Sequence, residues 1–244
     1  MRTIKVLLEY DGTNYAGWQV QPAQDTIQGR LQDALRTITG EEIRVEGSGR
    51  TDAGVHAIGQ VAHFKTSSEM TADEFRRALN GLLPRDIAIR EVSEEGEGFH
   101  ARYSVKRKLY RYVVLQGETR SAFGCRYGWE VDYALDVAAM RQATQYLVGR
   151  CDFSAFMATS STAKSYVRTL FRLEVYERGR DLIFLAEADG FLRHMVRTIV
   201  GTLVDVGRGY RRPDDVKAIL ESRDRSQAGP TAPPQGLFLL EVTY

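Results

Sequence analysis

At 244 residues, with 43% hydrophobic and 27% charged content, the chain has the make-up of a globular protein. It is long enough for one large domain or two of about 120 residues, and it contains no 18-residue apolar run that could span a membrane. A net charge of +1 excludes a uniformly basic nucleic-acid binder, so an anionic partner would have to be met by local charge.

In chain order, a first strand is expected at about 3–10, entered directly from Met1-Arg2-Thr3-Ile4-Lys5 with no signal-peptide pattern. Thr26 to Ile38 reads as an amphipathic helix with Ile27, Leu31, Ala34, Leu35 and Ile38 on one face and Asp25 or Thr26 as cap. Strands follow at about 43–46 and 55–66. Thr71-x-x-Glu74 is a capping box opening a second helix that buries Phe75, Ala78, Leu79 and Leu82. A strand at 86–94 then completes β-α-β-β-α-β, the order of a ferredoxin-like unit. The second half begins with a long strand near 105–116 and a helix at about 136–148 ended by Gly149. Strands at 167–177 and 181–189 form a hairpin through Arg178-Gly179-Arg180, and a helix runs 191–206. A short helix from Pro213 to Glu221 leads through Gly- and Pro-containing coil to a last strand, Leu237–Thr243. The chain thus reads as two α+β halves, 1–105 and 106–244, with joined antiparallel sheets and a cleft between them where a ligand would bind. Cys125 and Cys151 form no CxxC, which points to the reducing cytoplasm.

The most informative stretch is Gly47-Ser48-Gly49-Arg50-Thr51-Asp52-Ala53-Gly54-Val55-His56-Ala57, lying between two strands. Three glycines around a carboxylate suggest an acid held on a preorganised turn that a ligand can approach. The plainer reading is a glycine-rich hairpin turn in which Asp52 caps its own backbone. Arg50 favours the first, being costly in an ordinary turn and useful where an anion must be met.

Arg50-Thr51-Asp52-Ala53-Gly54-Val55-His56-Ala57 resembles the signature of the TruA family of tRNA pseudouridine synthases. The likeness continues in order through Glu9-Tyr10-Asp11-Gly12-Thr13 with Gly17-Trp18-Gln19, Phe99-His100-Ala101-Arg102 and Lys108-Leu109-Tyr110-Arg111-Tyr112. It extends to Asp152-Phe153-Ser154-Ala155-Phe156, Met195-Val196-Arg197 with Gly201, and Ala232-Pro233-Pro234-Gln235-Gly236-Leu237. The resemblance implies two ferredoxin-like halves, with antiparallel sheets joined across an RNA-binding cleft. It implies isomerisation of uridine to pseudouridine at positions 38, 39 and 40 of the tRNA anticodon arm, by a homodimer and without a cofactor. Asp52 is the carboxylate this likeness assigns to catalysis, either attacking the sugar or removing a ribose proton.

Arg197 lies off the apolar stripe Leu192, Met195, Val196, Ile199, Val200, Leu203 and Val206, with Gly201 one turn on. A solvent-facing Arg is the plain reading. Gly within a helix costs about 1 kcal/mol relative to Ala, however, and makes sense only on a face packed closely against another segment. In the resembling family the matching Arg pairs with the catalytic carboxylate and keeps it ionised. Tyr110 and Tyr112 share one face of a strand, as core rings would. The resemblance makes Tyr110 the ring that stacks on the target uracil, its hydroxyl helping to move the C5 proton, and gives Arg50 the task of holding RNA with its target turned out.

Between Arg102 and Arg111 stand five basic residues, Arg102, Lys106, Arg107, Lys108 and Arg111, and no acidic one, with Tyr103, Tyr110 and Tyr112 interleaved. Basic groups neutralise phosphates and rings stack on unpaired bases, so RNA contact is expected here, although charge runs are commonly just solvated. Asp52, His56 and His63 have spacing that could suggest metal ligands. Strand alternation separates His63 from the other two and no fourth ligand is evident, so no metal is expected and His56 reads as a hydrogen-bonder steadying the loop. A non-catalytic RNA binder remains the competing class, and Asp52 argues against it, because a carboxylate beside phosphates only weakens binding.

Overall fold

Period-two burial marks β1 (Arg2–Tyr10), in which Ile4, Val6, Leu8 and Tyr10 turn inward. The structure, a computed structural model, describes residues 1–159 and 164–244. They divide into two units, Met1–Lys106 with Phe238–Tyr244, and Arg107–Leu237. The final strand therefore belongs with the first unit although it comes last in the chain.

In the first unit, α1 (Ile27–Thr39) starts where Thr26 Oγ1 accepts the Gly29 N–H. It stops at Gly40, whose left-handed backbone returns its N–H to the Arg36 carbonyl. The Thr71–Glu74 capping box opens α2 (Ala72–Leu82) as expected. Ile27, Leu31 and Leu35 of α1 and Phe75 and Leu79 of α2 are buried, and the Phe75 ring meets Phe64 of β3 (His56–Thr66) at 5.6 Å. The expectation fails at Leu82, which is exposed. The helix ends there, and Leu83, in extended conformation, takes the buried place instead.

With β2 (Glu46–Gly47) and β4 (Ile87–Glu95), the antiparallel order is β4-β1-β3-β2, that of a ferredoxin-like unit. The strand anticipated at 43–46 shrinks to 46–47 for a specific reason. The Val45 N–H donates to Gln32 Oε1 and its carbonyl accepts from Gln28 Nε2, so two α1 side chains take the groups a ladder would use. Because β2 covers only Ala62 and His63 of β3, the start of that edge is open to β10 (Leu237–Thr243). That strand joins in parallel, with Phe238 opposite His56 and Leu239 opposite Ala57.

The second unit also sets helices against an antiparallel sheet, with the order β5-β9-β8-β7. Its strands are β5 (Arg107–Gln116), β7 (Gly149–Asp152), β8 (Val167–Arg178) and β9 (Asp181–Ala188). The short β6 (Trp129–Val131) runs parallel to the end of β5. Helix α3 (Val137–Thr144), capped by Asp136, is shorter than the span anticipated, since Gly149 begins β7 rather than merely ending a helix. α5 (Asp215–Ser222) matches the short helix after Pro213.

The buried centre of this unit is α4 (Met195–Gly207), and here the sequence reading needs two corrections. The helix begins at 195, not 191, because His194 adopts a left-handed φ of 64°. Nor is it one-sided: Thr198, Gly201, Thr202 and Val204 are buried along with the apolar stripe. Thr202 settles its hydroxyl by donating to the Thr198 carbonyl and accepting the Gly229 N–H. A Cβ at Gly201 would lie 1.8 Å from the Pro230 carbonyl oxygen, the close approach that a mid-helix glycine suggested. Gly201→Ala should therefore destabilise the protein by about 1–3 kcal/mol, read as a lower urea midpoint at unchanged m-value.

Candidate active site

The Asp52 loop is fixed by another loop. Asp11 N–H donates to the Asp86 carbonyl at 2.9 Å and Tyr15 Oη to Asp86 Oδ1 at 2.6 Å, anchoring the segment that follows β1. That segment then meets the glycine-rich run backbone to backbone. Trp18 N–H donates to the Thr51 carbonyl at 3.1 Å, and Gly54 N–H donates to the Tyr15 carbonyl at 3.4 Å. Gly17 has φ +97°, and a Cβ there would stand 2.5 Å from the Thr51 carbonyl oxygen, so both conformation and space require glycine. The Val55 N–H closes the turn on the Asp52 carbonyl at 3.1 Å. Asp52 is left half-buried and Arg50 exposed on the same loop.

Beneath the loop lies a polar network that spacing could not reveal. Tyr10 Oη and Thr51 Oγ1 are 2.8 Å apart, Gln60 Nε2 donates to the Gly49 carbonyl at 3.2 Å, and Ser48 Oγ donates to Gln60 Oε1 at 2.6 Å. Burial pushes the Tyr10 hydroxyl up to about 12, against the pull of Thr51 and Gln60, so it stays a phenol at neutral pH. His56 Nδ1 lies 3.1 Å from the Gly12 N–H and 3.0 Å from Asp11 Oδ1, with its ring stacked on Phe238 at 4.7 Å. That is the steadying place expected of it. Among the described residues no group of three or more His, Cys, Asp or Glu is placed to hold a metal ion.

Tyr110, Tyr112 and Arg197 all belong to the second unit. Strand alternation sets Lys108, Tyr110 and Tyr112 on one face of β5 and Arg107, Leu109 and Arg111 on the other. Only 7% of Tyr110 is exposed, and its ring meets Phe191 edge-on at 5.0 Å. Tyr112 is fully buried and donates to the Pro233 carbonyl at 2.7 Å; burial raises its pKa while Arg197 acts the other way. Arg197 is half-buried rather than solvated, its Nε donating to the Ala232 carbonyl at 2.7 Å. Arg225, a residue the sequence reading passed over, holds the same segment through the Gly229 carbonyl and Thr231 Oγ1, each at 3.0 Å. Its distance along the chain from Arg197 left no local signal to find it by.

The basic run is thus divided rather than continuous. Arg102 and Lys106 belong to the first unit, and Arg102 is exposed. Arg107 pairs with Glu187 at 3.3 Å and lies over the Phe171 ring at 4.5 Å. Burial lowers the pKa of Arg111, on the same face. In the first unit, His63 accepts the Ala101 N–H at 3.2 Å, and burial, followed by His100, depresses its pKa. An unfolded His takes up its proton near pH 6.5, before the folded one does. Stability is therefore complete above that pH and falls as pH drops through it toward the folded value. His63→Asn keeps an acceptor near the Nδ1 position, so urea titrations between pH 7 and 5 should show a shallower loss than in the unchanged chain.

The tRNA pseudouridine synthase family model matches residues 6–104 and 143–244. A tRNA pseudouridine synthase A from Brevibacillus brevis is 47% identical over 244 residues, covering 100% of both chains. Proteins of the same name from Thermoanaerobacter pseudethanolicus and Caldicellulosiruptor saccharolyticus are 46% and 45% identical, again covering 100% of both chains. The chain belongs to the tRNA pseudouridine synthase family.

Proposed function

We propose that this chain isomerises uridine to pseudouridine in the anticodon stem-loop of tRNA, at positions 38, 39 and 40, with Asp52 as the catalytic carboxylate. The observation that carries the reading is the clamped loop around Asp52, a half-buried acid on a backbone fixed at Thr51, Gly54 and Val55. Preorganisation of this kind suits a group that must meet one sugar carbon in one orientation. The reaction adds and removes no atoms overall. In the nucleophilic route an Asp52 oxygen bonds to C1′, and the C1′–N1 bond breaks with its electron pair going to N1. The freed uracil turns, C5 forms the new bond to C1′ as the carboxylate leaves, and a proton departs C5 while N1 ends protonated. In the alternative route Asp52 takes a ribose proton before the glycosidic bond breaks. Both routes require its negative charge.

Tyr110, as the ring that holds the uracil, and Arg197 complete the catalytic set in this reading, as the resemblance assigns them. Arg50 assists extrusion of the target nucleotide, which costs a few kcal/mol in paired RNA. A homodimer acting on one tRNA in the cytoplasm completes the proposal. No described helix is long and apolar enough to cross a membrane, and Cys125 and Cys151 are unpaired.

Asp52→Asn preserves shape and removes charge. It should abolish pseudouridine formation on unmodified tRNA, mapped by position, while leaving tRNA affinity within a few-fold. Turnover above about one hundredth of the original rate would move the catalytic role elsewhere. The division of β5 gives a second test, by tRNA binding across salt concentrations. Lys108→Ala, on the Tyr110 face, should lower the log–log slope by about 0.7–0.9, whereas Arg107→Ala, already paired with Glu187, should leave it nearly unchanged. Equal slopes for both variants and the original chain would remove this strand from the RNA-contacting surface.

A further inference from the structure

The turn from Phe99 to Ser104 is held more firmly than a surface turn requires. His100 Nδ1 accepts the N–H groups of Arg102 at 3.1 Å and Tyr103 at 3.4 Å. Ser104 Oγ accepts the His100 N–H at 3.1 Å, and the Ser104 N–H returns to the His100 carbonyl at 3.0 Å. With Nδ1 acting as acceptor, the imidazole proton is assigned to Nε2, which faces Glu46 Oε2 at 3.2 Å. The His100 ring is therefore fixed in both position and tautomer. One ring neighbour is His63, with centroids 4.6 Å apart, itself tied to the Ala101 N–H. The other is Tyr103, at 4.3 Å and a 36° tilt.

Three rings thus succeed one another from the buried His63 to the open Tyr103, which is 75% exposed. Arg102 carries its guanidinium over the Tyr103 ring, 5.7 Å from the centroid, is exposed, and has no acidic partner among the described residues. An aromatic ring held in water by a rigid support, with an exposed cation within reach, offers a nucleic acid two things at once. The ring stacks on an unpaired base without reading its edges, and the cation meets a neighbouring phosphate. Because the ring is already positioned, little further freedom is lost on binding.

We propose that Tyr103, backed by His100 and flanked by Arg102, is a stacking platform for an unpaired nucleobase of the RNA substrate, separate from the ring that holds the target uracil. This rests on the reading of the chain as a tRNA pseudouridine synthase and deepens it. An enzyme acting at three neighbouring uridines cannot depend on the identity of the flanking bases. Stacking is the contact that tolerates that variation, since every base has a π-face.

The test measures equilibrium binding to two RNAs across salt concentrations: an unmodified anticodon stem-loop, and a blunt duplex of the stem with no unpaired base. Tyr103→Ala should bind the stem-loop about tenfold more weakly, with an unchanged salt slope, and bind the duplex as the original chain does. Tyr103→Phe should restore stem-loop affinity, and Tyr103→Leu, apolar but without a π-face, should not. Arg102→Ala should instead lower the salt slope by about 0.7–0.9. Thermal melting of each variant checks that the fold is intact. Original affinity of Tyr103→Ala for the stem-loop, or an equal loss on both RNAs, overturns the platform. If the unchanged chain neither binds nor modifies tRNA, the function itself is overturned; if it does both, only the platform is at stake.

Discussion

The hydrogen bond from the Trp18 N–H to the Thr51 carbonyl joins two irregular segments that have no ladder to hold them. Irregular backbone near a protein interior leaves polar groups to be satisfied, and the two loops do much of this for each other. Gly17 lets their chains approach to contact, and the Tyr10–Thr51–Gln60–Ser48 network supports the run from beneath. The support reaches back to β4 through Asp86, which takes both the Asp11 N–H and the Tyr15 hydroxyl. Asp52 is consequently placed by the first unit's sheet although it stands on none of its strands. Widening Gly17 by one methyl would press on the Thr51 carbonyl, immediately before the carboxylate. The loop's geometry and the fold's stability share this contact.

The second unit solves a similar problem with other chemistry. The segment Ala228–Gly236 has no extended pairing, and buried or half-buried side chains take several of its carbonyls. Arg225 takes the Ala228 and Gly229 carbonyls, Arg197 that of Ala232, and Tyr112 that of Pro233. Prolines at 230, 233 and 234 present no N–H of their own, which reduces what the surroundings must supply. Arg197 is therefore held by the strap as much as by its helix. Gly201, one turn further along α4, admits the Pro230 carbonyl against the helix axis.

Much of this was legible in the sequence. Thr26 and Thr71 with Glu74 act through neighbours three residues away, so capping chemistry could be read directly. Gly201 announced a close approach because nothing else justifies glycine in the middle of α4. What escaped depended on partners distant in sequence. β6 and β7 are too short to show periodicity, and Gly149 reads equally well as a helix stop. The one-sided stripe expected of α4 failed because Thr202 bonds its hydroxyl to the Thr198 carbonyl and the Gly229 N–H, and Thr198 faces Thr231 Oγ1, so both can be buried as apolar residues are. The roles proposed for Asp52, Tyr110 and Arg197 rest on resemblance, whereas the network under Thr51 leaves no mark in the sequence, since Tyr10 lies 41 residues away.

The fate of the basic run shows why charge counted along a chain is a poor guide to charge on a surface. Five cations within ten residues look like one patch, but a strand sends successive side chains to opposite faces. Arg107 is partly neutralised by Glu187, and burial works against the charge on Arg111. Lys108 alone of the β5 cations in that run shares the Tyr110 face. Positive groups that remain open, Arg50 and Arg102, stand instead on turns made rigid by backbone hydrogen bonds. Such a turn can direct a side chain into solvent without paying again for its order when a ligand arrives. With a net charge of only +1, affinity for RNA must come from a few well-placed contacts rather than a general field, and rigid turns are where this fold can place them.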